Sequence, residues 1–243
     1  MPVDRPTFDH YLSGHYTRIG DQGRFRERRK RQMLATYRHL LPVRRDAEML
    51  EIGPGHGQWL EALHRDAGYT RTIAVDLSAE VAEFCNRSLP GSTEVVGDTT
   101  AWLLANAGRF ERIFAFHVLE HVPGPDLVPL LEAARDALRP GGWLVVEVPN
   151  MANIITGNYL RHADRTHQTG FAELSLRQAL EDAGFADARA FEERLVVSVP
   201  QDVVYLFLRS VTRALQWAAY KSCRVPVPAV LTPALCMSAR RTT

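Results

Sequence analysis

Cysteine is scarce in this chain of 243 residues: Cys85, Cys223 and Cys236 are the whole set, and no two are spaced as C-x-x-C. An odd, scattered set excludes a disulfide framework and a zinc knuckle, and fits reduced thiols. No apolar run reaches the roughly 18 residues that a membrane span needs. Met1 to His10 hold no apolar stretch of the signal-peptide kind, so the cytoplasm is the expected compartment. Internal repeats and low-complexity segments are lacking too. Acid is missing from one long region: Val203 to Thr243 carries six Lys/Arg and no Asp or Glu. Arg18 to Arg45 carries ten Lys/Arg against two acids, so the net charge of +1 hides an acidic middle. Such segregation reads either as solvated helix faces or as contact with something anionic: a membrane surface, a nucleotide-linked substrate or nucleic acid. With 46% hydrophobic and 23% charged residues, the composition is that of one globular domain with a sizeable core.

What is present is concentrated in one stretch. Met49-Leu50-Glu51-Ile52 is an apolar run broken by a carboxylate, and it opens into Gly53-Pro54-Gly55-His56-Gly57. A strand followed by a glycine turn and a helix reads this way, because residues without Cβ let the backbone turn tightly and approach a ligand. A second apolar run, Thr72 to Val75, ends at Asp76, about twenty residues on, where a carboxylate accepts hydrogen bonds from two ribose hydroxyls. A dinucleotide turn is G-x-G-x-x-G with pyrophosphate at the helix N-terminus. Here the third glycine comes one residue early, and Glu51 would repel a pyrophosphate. A cofactor bearing an ammonium and a sulfonium tolerates that carboxylate, which favours S-adenosylmethionine over NAD.

The stretch resembles motif I of the class I S-adenosylmethionine-dependent methyltransferases, and three later segments agree. Val95-Val96-Gly97-Asp98 resembles the acid after the third strand, Arg112 to Val122 the fourth strand with its VLEHV turn, and Leu138 to Asn150 the L-x-P-G-G entry into the fifth. The resemblance spans roughly Glu48 to Phe185. It implies a Rossmann-like α/β fold, a seven-stranded and mostly parallel sheet with a final antiparallel strand. It also implies a cofactor site formed by Glu51, Gly53, Pro54, Gly55, Gly57, Asp76, Leu77, Asp98, Thr99, Phe116 and His117. Relatives cover the cofactor with an N-terminal helix, and Tyr16 is the residue expected to reach it from there.

Residues 1–45 are expected to form a helical lid, with a helix over about Gln22 to Leu41 stopped by Pro42. Residues 46–243 form the methyltransferase domain. Strands are expected near 49–52, 71–75, 92–96, 112–116 and 143–148, and helices near 57–67, 79–87, 125–138 and 173–183. Ala188 to Val199 reads as a strand or hairpin arm and Val230 to Arg240 as the last strand. Between them, residues 202–222 read as a helical insertion. Arg209, Thr212, Arg213, Gln216 and Tyr220 share one side of it, and Val204, Phe207, Leu208, Val211, Leu215 and Ala218 the other. Such a helix packs on its own core or a twin subunit, or rests on an anionic membrane surface.

Residues 150–172 form a long polar connection after the fifth strand, where the acceptor is expected. A hydroxyl acceptor needs a general base, and histidine is the natural one. His167 is the first candidate, within a D-x-x-H run whose Asp164 would orient the imidazole. His121 of the VLEHV turn is the second, and His162 a weaker alternative. A metal held by His117, His121, Glu120 and Asp164 is the less favoured reading of these residues, since magnesium prefers oxygen ligands and the spacing falls across a strand end. The expected function is O-methylation of a sugar hydroxyl in a glycan or glycolipid intermediate of surface-polysaccharide biosynthesis, by a cytoplasmic protein in peripheral contact with the membrane. A soluble methyltransferase of secondary or quinone-type metabolites is the alternative, and a non-catalytic binding protein is the alternative of another class. A homodimer fits either. A nucleic-acid substrate is disfavoured, because the chain has neither a D/N-P-P-Y run nor a cysteine preceded by proline.

Overall fold

The computed structural model describes residues 22–242. Tyr16 and the first part of the expected lid lie outside the described residues. A seven-stranded sheet runs in the order β3-β2-β1-β4-β5-β7-β6. Its strands are β1 (Met49–Ile52), β2 (Thr72–Asp76), β3 (Thr93–Val95), β4 (Phe110–Phe116), β5 (Leu138–Pro149), β6 (Ala186–Phe191) and β7 (Ala234–Arg240). The first five pair in parallel, and β7 runs antiparallel to both β5 and β6. This is the Rossmann-like sheet expected. Helices α1 (Gln22–Tyr37), α2 (Gln58–Glu61), α3 (Ala79–Ser88), α4 (Thr99–Ala105), α5 (Gly124–Ala137), α6 (Gly157–Ala163), α7 (Glu173–Asp182) and α8 (Pro200–Ser222) surround it.

Because side chains alternate across a strand, each strand feeds two cores. Leu50, Ile113, Ala115, Leu144 and Val146 join the core under α5 and α7. Met49, Phe114 and Val145 join the other, against Tyr37 of α1 and Trp59 of α2. The second core is an aromatic cluster: Tyr37 stacks on Phe116 at 4.7 Å between ring centroids and meets Trp59 edge-on at 5.6 Å.

Several boundaries differ from expectation, each for a local reason. Gly57 starts α2 in the left-handed region, and the helix loosens into a π-helical stretch over Ala62–Asp66. Strand β5 begins at Leu138 because Arg139 to Gly142 bulges out of register with β4, with Gly141 at φ +78°. The last strand starts only at Ala234. The carbonyls of Val230, Leu231 and Thr232 are taken instead by the side-chain amides of Asn150, Asn153 and Gln216. Helices α4 and α6 were not foreseen: α4 is capped by Asp98, whose carboxylate accepts from Ala101 N at 3.1 Å, and α6 lies inside the long connection after β5.

Helix α1, the described part of the expected lid, is fastened to the sheet by charge and contributes no residue to the lining of the cleft described below. Glu147 of β5 is buried and accepts from Arg29 Nη2 at 2.8 Å, from the Tyr37 hydroxyl and from His117 Nε2 at 2.9 Å. Burial works against its ionisation, but the Arg29 guanidinium and His117 together hold its carboxyl well below the usual carboxylate range. Arg29 continues to Glu193. Removing one partner of a buried charge strands the other. Arg29→Ala is therefore expected to lower stability by roughly 3 kcal/mol, read as a reduced urea midpoint. An unchanged midpoint would show that the lid is held by its aromatic packing alone.

Candidate active site

At the carboxyl ends of β1 to β4 lies a cleft of about 570 Å³. Gly53, Gly55, Asp76, Leu77, Asp98, Thr99, His117 and His121 line it, as the sequence suggested. The β5-side wall adds Val118 and Val122, with Asp126 and Leu130 of α5, which the sequence did not single out. Gly53 and Gly57 sit at φ +66° and +65°, and a Cβ on either would lie 2.7 Å from Val118 Cγ2 or 2.9 Å from Cys85 Sγ. Both conformation and space therefore demand glycine there. Pro54 and Gly57 shape the turn from within and do not line the cleft. Phe116 does not reach it either, since β4 turns that ring to the opposite face against Tyr37.

Of the two expected carboxylates of motif I and β2, Asp76 lines the cleft and Glu51 does not. Glu51 is buried, with Oε2 lacking any hydrogen-bond partner. Burial pushes its pKa up to about 8, and nearby Asp76 adds to the shift. Asp76 accepts from Ser78 N at 2.8 Å, and burial raises its pKa to about 6 despite that bond. An orphaned buried carboxylate oxygen needs a cation or donor.

His117 cannot act as a base. It stands in the left-handed region at φ 55°, with Nδ1 3.2 Å from Glu120 and Nε2 2.9 Å from Glu147. Burial opposes its charge, but the two carboxylates outweigh burial and push its pKa up to about 10. With both ring nitrogens held by carboxylates, the charged form is favoured in this part of the cleft wall.

His121 and His167 come together, their rings 4.8 Å apart between centroids at 62°. The expected Asp164–His167 pairing is not what orients them. Asp164 accepts from the Thr166 hydroxyl at 2.6 Å and from Thr166 N at 2.8 Å, and that hydroxyl lies 2.8 Å from His121 Nδ1. The hydroxyl gives its own hydrogen to the carboxylate, so it accepts Nδ1–H, leaving Nε2 as the basic nitrogen of His121. His167 Nδ1 donates to the Leu160 carbonyl at 2.9 Å, which leaves its Nε2 basic as well. Burial lowers the His121 pKa, partly offset by Glu120 and Asp164. Glu120, His121 and His167 also form a group whose ligand atoms lie within 4.8 Å of one another. The group differs from the weighed metal set, because His117 is committed to its two carboxylates and Asp164 to Thr166.

Residues 25–189 match a protein family described as a methyltransferase domain. The chain belongs to the class I S-adenosylmethionine-dependent methyltransferases. It is 31% identical over 144 residues to a trans-aconitate 2-methyltransferase of Azoarcus sp., covering 59% of this chain and 51% of that protein. A second protein of that name, from Rhizobium leguminosarum, is 24% identical over 76% of this chain and 68% of its own length. The chain thus spans about half the length of the first of these relatives. Among solved structures, a SAM-dependent methyltransferase from Archaeoglobus fulgidus superposes with a TM-score of 0.69 at 21% identity, covering 96% of this chain and all (100%) of that one. A phosphoethanolamine N-methyltransferase 2 from Haemonchus contortus superposes with a TM-score of 0.61 at 16% identity, covering 97% of this chain and 60% of that one. These two establish the fold.

The cleft fits S-adenosylmethionine, the cofactor of this family. Asp76 offers acceptors to a ribose, Gly55 leaves open space above the turn, and the unpartnered oxygen of buried Glu51 would be satisfied by an ammonium group that reaches it. Asp76→Ala is expected to weaken S-adenosylmethionine binding by roughly a hundredfold or more, about 3 kcal/mol for two charge-assisted hydrogen bonds. The wild-type affinity is expected to fall as pH drops through about 6, where Asp76 takes up its proton. At neutral pH, binding is expected to release a proton, because Glu51 ionises only when it meets the cation. Calorimetry in buffers of different ionisation enthalpy measures both. Affinity independent of pH and unchanged in the variant would refute the assignment of these carboxylates.

Proposed function

We propose that this methyltransferase methylates an oxygen acceptor, a sugar hydroxyl of a glycan or glycolipid intermediate, with His121 and His167 as the proton-accepting pair. The observation that carries this reading is the Asp164–Thr166–His121 chain, which fixes a neutral imidazole at the edge of the cofactor cleft with His167 beside it. The bound cofactor supplies a methyl group on a positively charged sulfur, already activated for displacement. The protein has to align the acceptor, exclude water and remove one proton. A sugar hydroxyl is a weak nucleophile, so proton removal is where a general base contributes. A second Nε2, on His167, stands ready to accept the proton or to steer the hydroxyl toward the first.

The loop that carries these groups is held firmly. Gln168 N and Thr169 N donate to the Glu120 carbonyl at 2.7 and 3.1 Å, and Arg161 donates to the Gln168 carbonyl at 2.7 Å. Positions fixed in this way lose little entropy when the acceptor arrives.

A second reading is favoured by the relatives named trans-aconitate 2-methyltransferase, whose name implies a small carboxylate acceptor. A carboxylate is already ionised near neutral pH and needs no base. The two readings part on the histidines. On the hydroxyl reading, His121→Ala and His167→Ala each lower turnover about 10²- to 10⁴-fold and leave cofactor affinity intact. The kcat/KM of the wild type then rises with pH up to the lowered His121 pKa, below about 6.5, and stays level above it, since the neutral imidazole is the active form. Methyl transfer from labelled S-adenosylmethionine into lipid, polymer and water-soluble fractions identifies the acceptor. Full activity in both variants, with label only in small acids, would replace the hydroxyl reading by the carboxylate one.

A further inference from the structure

Helix α8 is the longest helix described, 23 residues from Pro200 to Ser222, and it is mounted with its polar side inward. Asp202 is buried; it accepts from Ser198 N at 2.7 Å and Val199 N at 3.0 Å and pairs with Arg28 of α1. Arg209 donates to Glu192 at 3.1 Å and to the Glu193 carbonyl at 3.0 Å. Gln216 is buried, accepting from Ile154 N and donating to the Leu231 carbonyl, and the Tyr220 hydroxyl donates to the Ala152 carbonyl at 2.7 Å. The opposite face is apolar and open to solvent: Val204, Phe207, Val211 and Leu215 are 40 to 67% exposed, and Trp217 on the helix flank is exposed as well. An ordinary surface helix has the reverse arrangement. A contiguous apolar patch of this kind marks an interaction surface.

We propose that this face of α8 docks on an anionic lipid surface. Charge selects that occupant. The chain carries no acid from Val203 to its end, so the helix presents no carboxylate along its apolar face. Cations edge the face. Lys221 Nζ lies 5.9 Å from the centroid of the Trp217 ring, and Arg224 is exposed just beyond the helix. A tryptophan and lysines or arginines bordering an apolar stripe suit the boundary between headgroups and acyl chains. A second copy of the same face would bring cation to cation, with no acid to answer. Among the described residues no helix is long and apolar enough to cross a membrane, so α8 would lie in the surface plane.

The inference stands apart from the acceptor reading, because lipid binding needs neither cofactor nor acceptor. The test is sedimentation of the full chain with vesicles of phosphatidylcholine alone and of phosphatidylcholine mixed with phosphatidylglycerol. The protein is expected to sediment with the anionic vesicles, to be released by high salt, and to show Trp217 fluorescence quenched by brominated acyl chains. Lys221→Glu with Arg224→Glu is expected to weaken binding roughly tenfold or more. Phe207→Glu with Leu215→Glu is expected to abolish it, while thermal unfolding stays close to that of the wild type because both positions are exposed. Absence of binding to anionic vesicles, binding that the Phe207→Glu and Leu215→Glu pair leaves unchanged, or a dimer that the same pair dissolves, would overturn the proposal.

Discussion

One buried carboxylate, Glu147, sets the position of most of what matters in this protein. Its charge in the sheet interior would be costly alone. Arg29 and Tyr37 reach it from the lid helix, and His117 from the end of β4. The bond to His117 holds that residue in a left-handed conformation that a side chain rarely adopts, and its other nitrogen meets Glu120. Glu120 begins the next link, since its backbone carbonyl receives the amides of Gln168 and Thr169. The constraint thus runs from α1 to strand to turn to the connection after β5, and it ends beside His121 and His167. A single ionised group couples the position of α1 to the placement of the candidate base.

The parts legible in the sequence were those fixed by local chemistry. Gly53, Gly55 and Gly57 with Asp76 marked the turn because all three glycines stand at positive φ and a Cβ at Gly53 or Gly57 would clash with Val118 or Cys85. The parallel core strands were legible because apolar runs between turn residues have few other readings. What sequence missed was set by partners far along the chain. Glu147 sits between Val146 and Val148 as a lone charge in an apolar strand, and that oddity was the available signal for the hub. Nothing local could name Arg29, 118 residues away, as its partner. The D-x-x-H run and the VLEHV turn supplied His167 and His121, whose rings the fold brings together, but the contact of Asp164 toward His121 runs through Thr166, because the turn at Thr166 brings its hydroxyl between them. Phe116 was placed in the cleft by its position at a strand end, yet alternation along β4 sends it to the other face.

Helix α8 shows why periodicity finds a stripe without saying which way it faces. Its polar and apolar sides were separable on a wheel, and burial normally chooses the apolar one. Here the surroundings choose otherwise. The body beneath α8 presents Glu192, the Glu193 carbonyl, the amide of Ile154 and the carbonyls of Ala152 and Leu231, all groups that must be satisfied if covered. Arg209, Arg213, Gln216 and Tyr220 satisfy them, and the first three, together with Thr212 and Tyr205, wall a second cavity of about 360 Å³. An apolar face turned inward would have left those groups without partners, at about 1–3 kcal/mol each. Because directed hydrogen bonds fix the helix against rotation, the exposure of Phe207 and Leu215 is a consequence of the same contacts that build the cavity wall. The outward apolar face is therefore a fixed feature of the fold, maintained by the polar seam beneath it.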